Sequence, residues 1–185
     1  MEQKTFRKTM WEEAGKAGLA LGMVSTAYLF ISQFVTTAEL PAFVSMIANV
    51  ALWTGKFAGC IWLMIFFMKR FAAMDAKFDN SATFRFGFAA AFLSAIVYAA
   101  ASFANSAFIS ADMLNEQINL LMQQMAPAMD SNTMQQMDDM MAKLPQLTFF
   151  SNLFYCTVYG GVLSFILSRN IPDKNPFASN TSDEL

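Results

Sequence analysis

The stretch that most constrains the fold of this chain is residues 41–67, which run almost uncharged from Pro41 to the basic pair Lys69 and Arg70. As a helix these residues are about 40 Å long, enough to cross a hydrocarbon core of about 30 Å. Their one formal charge is Lys56, near mid-depth. A lysine there costs about 2.5–3.5 kcal/mol on insertion scales, so the rest of the chain must solvate or pair it.

The composition agrees with a membrane protein. Of the 185 residues, 56% are hydrophobic and 14% are charged, which is too apolar for an ordinary soluble domain. Cys60 and Cys156 lie in apolar stretches without redox or metal-ligand spacing, and we expect both to be inert core residues.

The remaining long apolar runs predict an all-α, polytopic fold with four transmembrane helices in a single membrane domain over residues 1–170. The predicted spans are residues 16–37, 41–67, 83–111 and 147–168. The first run is too long for the apolar region of a signal peptide, so we expect it to remain uncleaved.

The segments at the two ends of the chain have a different character. Residues 1–15 interleave basic side chains with Phe6, Met10 and Trp11, which predicts an interfacial helix with its apolar edge in the headgroup layer. The alternative is a frayed, solvated tail. Residues 171–185 contain too few apolar side chains to fold alone, and they predict a disordered cytoplasmic tail.

Residues 112–145 are amphipathic, so they are not predicted to span the membrane. Apolar side chains recur at helical spacing in two groups separated by Pro127, which predicts an extracytoplasmic hairpin of two short helices between the third and fourth spans. The groups are Leu114, Ile118, Leu121 and Met125, then Met134, Met137, Met141 and Leu144; Pro145 is expected to end the second helix.

The distribution of Lys and Arg predicts the orientation. Ten of the twelve flank the ends of the spans on one side, whereas Lys143 lies on the other side and Lys56 within the membrane. By the positive-inside rule, both termini are cytoplasmic and the hairpin is extracytoplasmic.

The tyrosines lie at the depth of Lys56 rather than in the interfacial belt where tyrosine is usual. We predict a central polar cluster in which phenol and amide oxygens accept hydrogen bonds from Lys56, and Trp53 offers a cation–π face. The cluster is either a substrate or proton pathway, or a hydrogen-bonded structural cluster that fixes helix register. The lack of a buried carboxylate favours the structural role. Its members are Lys56, Tyr28, Asn49, Trp53, Tyr98, Ser102, Asn105, Asn152, Tyr155 and Tyr159.

Two glycine pairs predict close helix packing. Gly18 and Gly22, like Gly55 and Gly59, have small-xxx-small spacing. Such spacing is common in membrane proteins and does not distinguish contacts within one chain from contacts between chains.

The layout resembles a known family. The features are a basic loop at residues 69–71, a third span that begins at residues 83–88 and ends at residues 108–112, a Met/Gln-rich hairpin and a glycine-containing fourth span. Together they are similar to the bacterial four-span inner-membrane family catalogued as domain of unknown function number 4199. The resemblance covers residues 10–170 and implies no catalytic residue, because that family has no assigned activity.

The sequence favours an accessory or structural membrane protein, in contact with the lipid bilayer and with another membrane protein or a second copy of itself. The alternative is a small transporter or lipid-handling protein that uses the Lys56 cluster; a cavity that reaches Lys56 would favour this second function. We expect no enzyme, cofactor, metal or nucleic-acid site, because the chain has no His, no Ser or Cys beside a base and no glycine-rich phosphate loop.

Overall fold

The computed structural model describes residues 2–38, 41–74, 80–109 and 143–171, together with positions 116, 120, 124, 136, 140 and 141. Within these residues, four helices are long and apolar enough to cross a membrane, and no strand is present. The predicted all-α, multi-pass membrane fold is therefore confirmed. The helices are α1 (Glu2–Thr37), α2 (Ala42–Met74), α3 (Asn80–Ala104), which continues into a π-helical turn (Asn105–Ile109), and α4 (Leu144–Asn170).

The predicted hairpin and C-terminal tail lie almost entirely outside the described residues, and both stay predictions. The isolated positions 116, 120, 124, 136, 140 and 141 are helical. Pro145, expected at the end of the hairpin, lies in the first turn of α4. That helix begins at Leu144, directly after Lys143. Proline is well tolerated there, because the first N–H groups of a helix have no partner within it.

The N-terminal helix α1 is continuous, rather than an interfacial segment followed by a separate span. No proline interrupts residues 2–37, so the backbone hydrogen bonds can run through without a break. Met10 and Ala14 are buried against the other helices, whereas Trp11 is exposed. Met10, which we expected in the headgroup layer, therefore belongs to the protein core.

The third helix, α3, is the centre of the bundle. It packs extensively against α1 and against α4, whereas α2 packs mainly against α1 and only lightly on the other two helices. The buried residues of α3 are largely alanines, and such small side chains let neighbouring backbones approach closely. α2 is consequently the most loosely attached of these helices.

The two glycine pairs have different surroundings. Gly18 and Gly22 press against α3, and a Cβ built on Gly18 would lie 2.7 Å from Leu93 Cβ, closer than real Cβ atoms come. A Cβ built on Gly55 or Gly59 would meet nothing within 4 Å. The first pair is thus a packing contact within the chain. The second pair is bare, which means that no other helix of the described residues packs against it.

The largest buried side chains lie at the end of the bundle where α1 and α3 begin and α2 and α4 end. Phe71 stacks on Phe86, with ring centroids 4.3 Å apart and the planes 5° apart. Met68 of α2 is fully buried in the same core cluster. Most of the basic residues of the sequence flank this same end, as the positive-inside rule requires of a cytoplasmic end; the orientation itself stays a prediction.

Candidate functional site

Lys56 extends from α2 between two tyrosine rings. Its Nζ lies 4.8 Å from the ring centroid of Tyr28 on α1 and 4.7 Å from that of Tyr98 on α3. Both distances are within the range of about 6 Å over which a cation is attracted to an aromatic face. The ammonium group therefore joins three helices.

Trp53, which we expected to offer a cation–π face, has a different neighbour. Its ring packs against Phe57 with the centroids 4.5 Å apart, and 55% of the residue is exposed on the outside of the bundle. Positions three apart on a helix differ by roughly 60° around its axis. That rotation is enough to leave Trp53 facing outward while Lys56 reaches inward to the tyrosines.

A cavity of about 100 Å³ lies beside Lys56 within the bundle. Much of its wall is apolar, but polar side chains from every one of the long helices reach it. A water molecule needs about 10–15 Å³ of such volume, so several waters or a small ligand group would fit. The polar residues of the lining that matter here are Lys56, Ser25, Tyr98, Tyr155, Cys156 and Tyr159.

The helices α2 and α4 barely touch each other, and the side of the cavity between them is lined by aromatic rings. Phe57 of α2 meets Tyr159 of α4 edge to face, with the centroids 5.5 Å apart. Tyr159 in turn stacks on Tyr155 at 6.4 Å. Both tyrosines line the cavity and are also exposed.

The other residues of the predicted cluster do not line this cavity. Ser32 of α1 donates a hydrogen bond to Asn49 Oδ1 of α2 at 3.4 Å, and Asn152 of α4 donates to Ser102 Oγ of α3 at 2.9 Å. Asn105 opens the π-helical turn after α3. Of the ten predicted residues, four line the cavity: Lys56, Tyr98, Tyr155 and Tyr159. Tyr28 contacts Lys56 without lining the cavity.

Several residues that line the cavity were not among the predicted cluster, and two of them, Ser25 and Phe57, matter for its polar and aromatic surface. Ser25 lies three residues before Tyr28, on the same helix face, and its Oγ is 3.8 Å from Cys60 Sγ. Its spacing from the tyrosine was the signal that would have identified it. Phe57 carried no such signal, because a phenylalanine within a span is typical of a lipid-facing position.

The part of the chain that the structure describes contains no group of three or more His, Cys, Asp or Glu side chains that could bind a metal ion. The polar chemistry of the cavity therefore comes from the ammonium of Lys56 and from hydroxyl and thiol groups around it. Such groups can bind and orient a ligand by charge and hydrogen bonds.

The family described as "Protein of unknown function (DUF4199)" matches residues 15–169. This range includes every residue that lines the cavity. Neither a curated protein nor a solved structure matches the chain. The comparisons thus supply a family and no activity.

Proposed function

The chain belongs to the DUF4199 family, and we propose that it binds a small ligand in the cavity at Lys56, as a small transporter or lipid-handling protein of the bacterial inner membrane with both termini cytoplasmic. The observation that carries the proposal is the position of the Lys56 ammonium, between two tyrosine rings and on the wall of a cavity. A lysine kept only to fix helix register gains nothing from open space beside it, because an unfilled void forfeits packing contacts. A binding site needs that space.

The chemistry of the lining favours an anionic ligand. Lys56 can only donate hydrogen bonds, and the hydroxyls of Ser25 and Tyr98 can donate as well. The ion pairs among the described residues lie near the start of α1, and none of them involves Lys56. A cation at this depth is stabilised by an opposite charge. We therefore propose a ligand with a small anionic group, such as a carboxylate.

The weak contact between α2 and α4 supports an entry route from the bilayer. Phe57 and Tyr159 meet on this side by an edge-to-face contact, and rotation of either ring would widen the gap between the two helices. An amphiphile could place its anionic group against Lys56 while its apolar part stays in lipid. Such a route suits lipid handling as well as transport.

The proposal predicts that Lys56 is chemically accessible in the membrane. In proteoliposomes, a small membrane-permeant amine reagent should modify Lys56, more slowly than the exposed Lys69, as measured by mass spectrometry of the peptides. Ala95→Leu should suppress the modification, because Ala95 is buried on the cavity wall and the larger side chain fills the space. A soluble carboxylate added in excess should slow the reaction by occupying the cavity.

The matched control is Ala100→Leu, which adds the same side chain to an exposed position of α3. It should leave the modification of Lys56 unchanged. An unreactive Lys56 in a folded protein whose Lys69 reacts normally would overturn the proposal and leave the structural role of the cluster.

A second candidate function, accessory protein, is favoured by the bare glycines of α2. Gly55 and Gly59 offer a shallow, small-residue surface on the most loosely attached helix, and Trp62 is exposed one to two turns further along it. Small-xxx-small surfaces of this kind allow close approach of another transmembrane helix. A helix of a second copy or of another membrane protein could dock there.

For this second candidate, the double variant Gly55→Leu with Gly59→Leu should abolish cross-linked dimers or the co-purified partner in native membranes, because leucine side chains prevent close helix approach. Ala27→Leu, at an exposed position of α1, is the control and should change neither. Identical cross-linking patterns in the double variant and the control would exclude this surface as a docking site.

A further inference from the structure

A second concave site lies between α1 and α3 near the basic end of the bundle, separate from the Lys56 cavity. It is a groove of about 390 Å³. Its lining differs from that of the cavity, because it combines two arginines with a row of aromatic rings. The residues used below are Arg7 and Trp11 of α1, with Phe84, Arg85, Phe88 and Phe92 of α3.

The two arginines give the groove a positive charge that no ion pair among the described residues offsets. Arg7 and Arg85 are both exposed, and the ion pairs among the described residues include neither of them. The nearby carboxylates of Glu12 and Glu13 are instead engaged by Lys8 and Lys16. Guanidinium groups match the geometry of phosphate oxygens and can bind them with two hydrogen bonds each.

The aromatic wall runs from the arginines toward the middle of α3. Phe84, Phe88 and Phe92 are spaced four residues apart and so lie along one face of α3. Phe92 lies about 10 Å further along the helix axis than Arg85. Phe88 is 42% exposed and Trp11 is 49% exposed, so both rings remain available for contact. Charge at one end of the groove and apolar surface along the rest match an amphiphile lying parallel to the helices.

We propose that this groove binds an anionic phospholipid, with its phosphate between Arg7 and Arg85 and an acyl chain along Phe88 and Phe92. A free phosphate ion would use the arginines alone and leave the aromatic wall without a function. Basic pockets between transmembrane helices are a recurrent type of site for anionic headgroups. The inference is independent of the ligand proposed for Lys56, since no residue lines both sites.

The test is native mass spectrometry of the purified full chain, released from nanodiscs that contain phosphatidylcholine with or without phosphatidylglycerol. The wild-type protein should retain phosphatidylglycerol in preference to phosphatidylcholine. The double variant Arg7→Gln with Arg85→Gln should weaken this retention by about tenfold or more. Each arginine near an anionic headgroup strengthens lipid binding by about fivefold, and the two effects multiply. Unchanged retention in this variant would overturn the proposal.

The matched control removes two charges from the same end of the bundle but outside the groove, by Lys69→Gln with Arg70→Gln. It should retain the lipid as the wild type does; an equal loss would show that general surface charge, and not this groove, holds the lipid. All variants are first compared by thermal unfolding, so that a folding defect is recognised.

The apolar part of the site has its own readout. Phe88→Ala should weaken retention of long-chain phosphatidylglycerol and leave the dihexanoyl form unaffected, because only the longer chain reaches along the aromatic wall. Glycerol phosphate should not compete with the long-chain lipid at equal concentration. Equal competition would assign the arginines to a free phosphate compound and overturn the phospholipid site.

Discussion

The Gly18→Leu variant is expected to lose about 1–3 kcal/mol of unfolding free energy, which is the usual cost of overpacking a tight contact. A Cβ at this position would lie 2.7 Å from Leu93 Cβ and 2.9 Å from the carbonyl oxygen of Ala90. The second of these neighbours is backbone of the central helix, so it cannot move aside as a flexible side chain would. The measurement is equilibrium unfolding of the monomer in mixed micelles with increasing denaturing detergent.

Gly15→Leu is the control for this prediction, because Gly15 lies one turn earlier on the same helix. A Cβ there would meet nothing within 4 Å. Both variants gain the same helix propensity of about 1 kcal/mol relative to glycine, so the difference between them isolates the contact with α3. Equal stability of the two variants would mean that α1 and α3 do not cross at Gly18.

The two glycine pairs illustrate what the sequence could and could not predict. Both pairs were identifiable from spacing alone, but the predicted close packing is present at Gly18 and Gly22 and not at Gly55 and Gly59 among the described residues. Their neighbours depend on how each helix is rotated relative to the others, which is decided by packing along its whole length. The central position of α3 among buried alanines decides that Gly18 is covered and Gly55 is bare.

The Lys56 site was predictable to a similar extent. Helix lengths and the positive charges at the span ends were enough to place the tyrosines near the depth of Lys56. The depth of a residue does not specify the direction in which its side chain points, however. Trp53 is exposed on the outside, whereas Tyr28 and Tyr98 contact the ammonium of Lys56. The cavity itself had no signal in the sequence, because a void is defined by what several helices fail to fill.

The continuous helix α1 has the same explanation. The change from basic and apolar residues to a purely apolar run at about residue 16 resembles a boundary between two segments, and local composition alone favoured two elements. The buried Met10 and Ala14 pack in the same core cluster as Met68 and Phe71 of α2. Because that contact extends the protein core past the apolar run, the helix continues without a break.

The second large effect on stability is expected for Tyr98→Leu in the protein that retains Lys56. Tyr98→Leu should lower the unfolding free energy by about 2 kcal/mol more in the wild-type background than in Lys56→Met, since a desolvated cation–π contact contributes about 2 kcal/mol. With methionine at position 56 there is no charge for the ring to stabilise. The measurement is a double-mutant cycle on the free energy of unfolding in mixed micelles.

The control cycle uses Phe149→Leu, because Phe149 of α4 packs edge to face on Phe103, with the ring centroids 6.3 Å apart, and does not line the cavity. Its coupling to Lys56 should stay below about 0.5 kcal/mol, as for distant residues that share no partner. Equal coupling at Tyr98 and Phe149 would contradict the position of the ammonium between two tyrosine rings.

Lys56→Met alone should be as stable as the wild type or more so, because it removes a charge that is costly in the membrane. A stable Lys56→Met variant with weaker carboxylate binding would mean that the lysine is kept for its ligand, and unimpaired carboxylate binding would contradict that role.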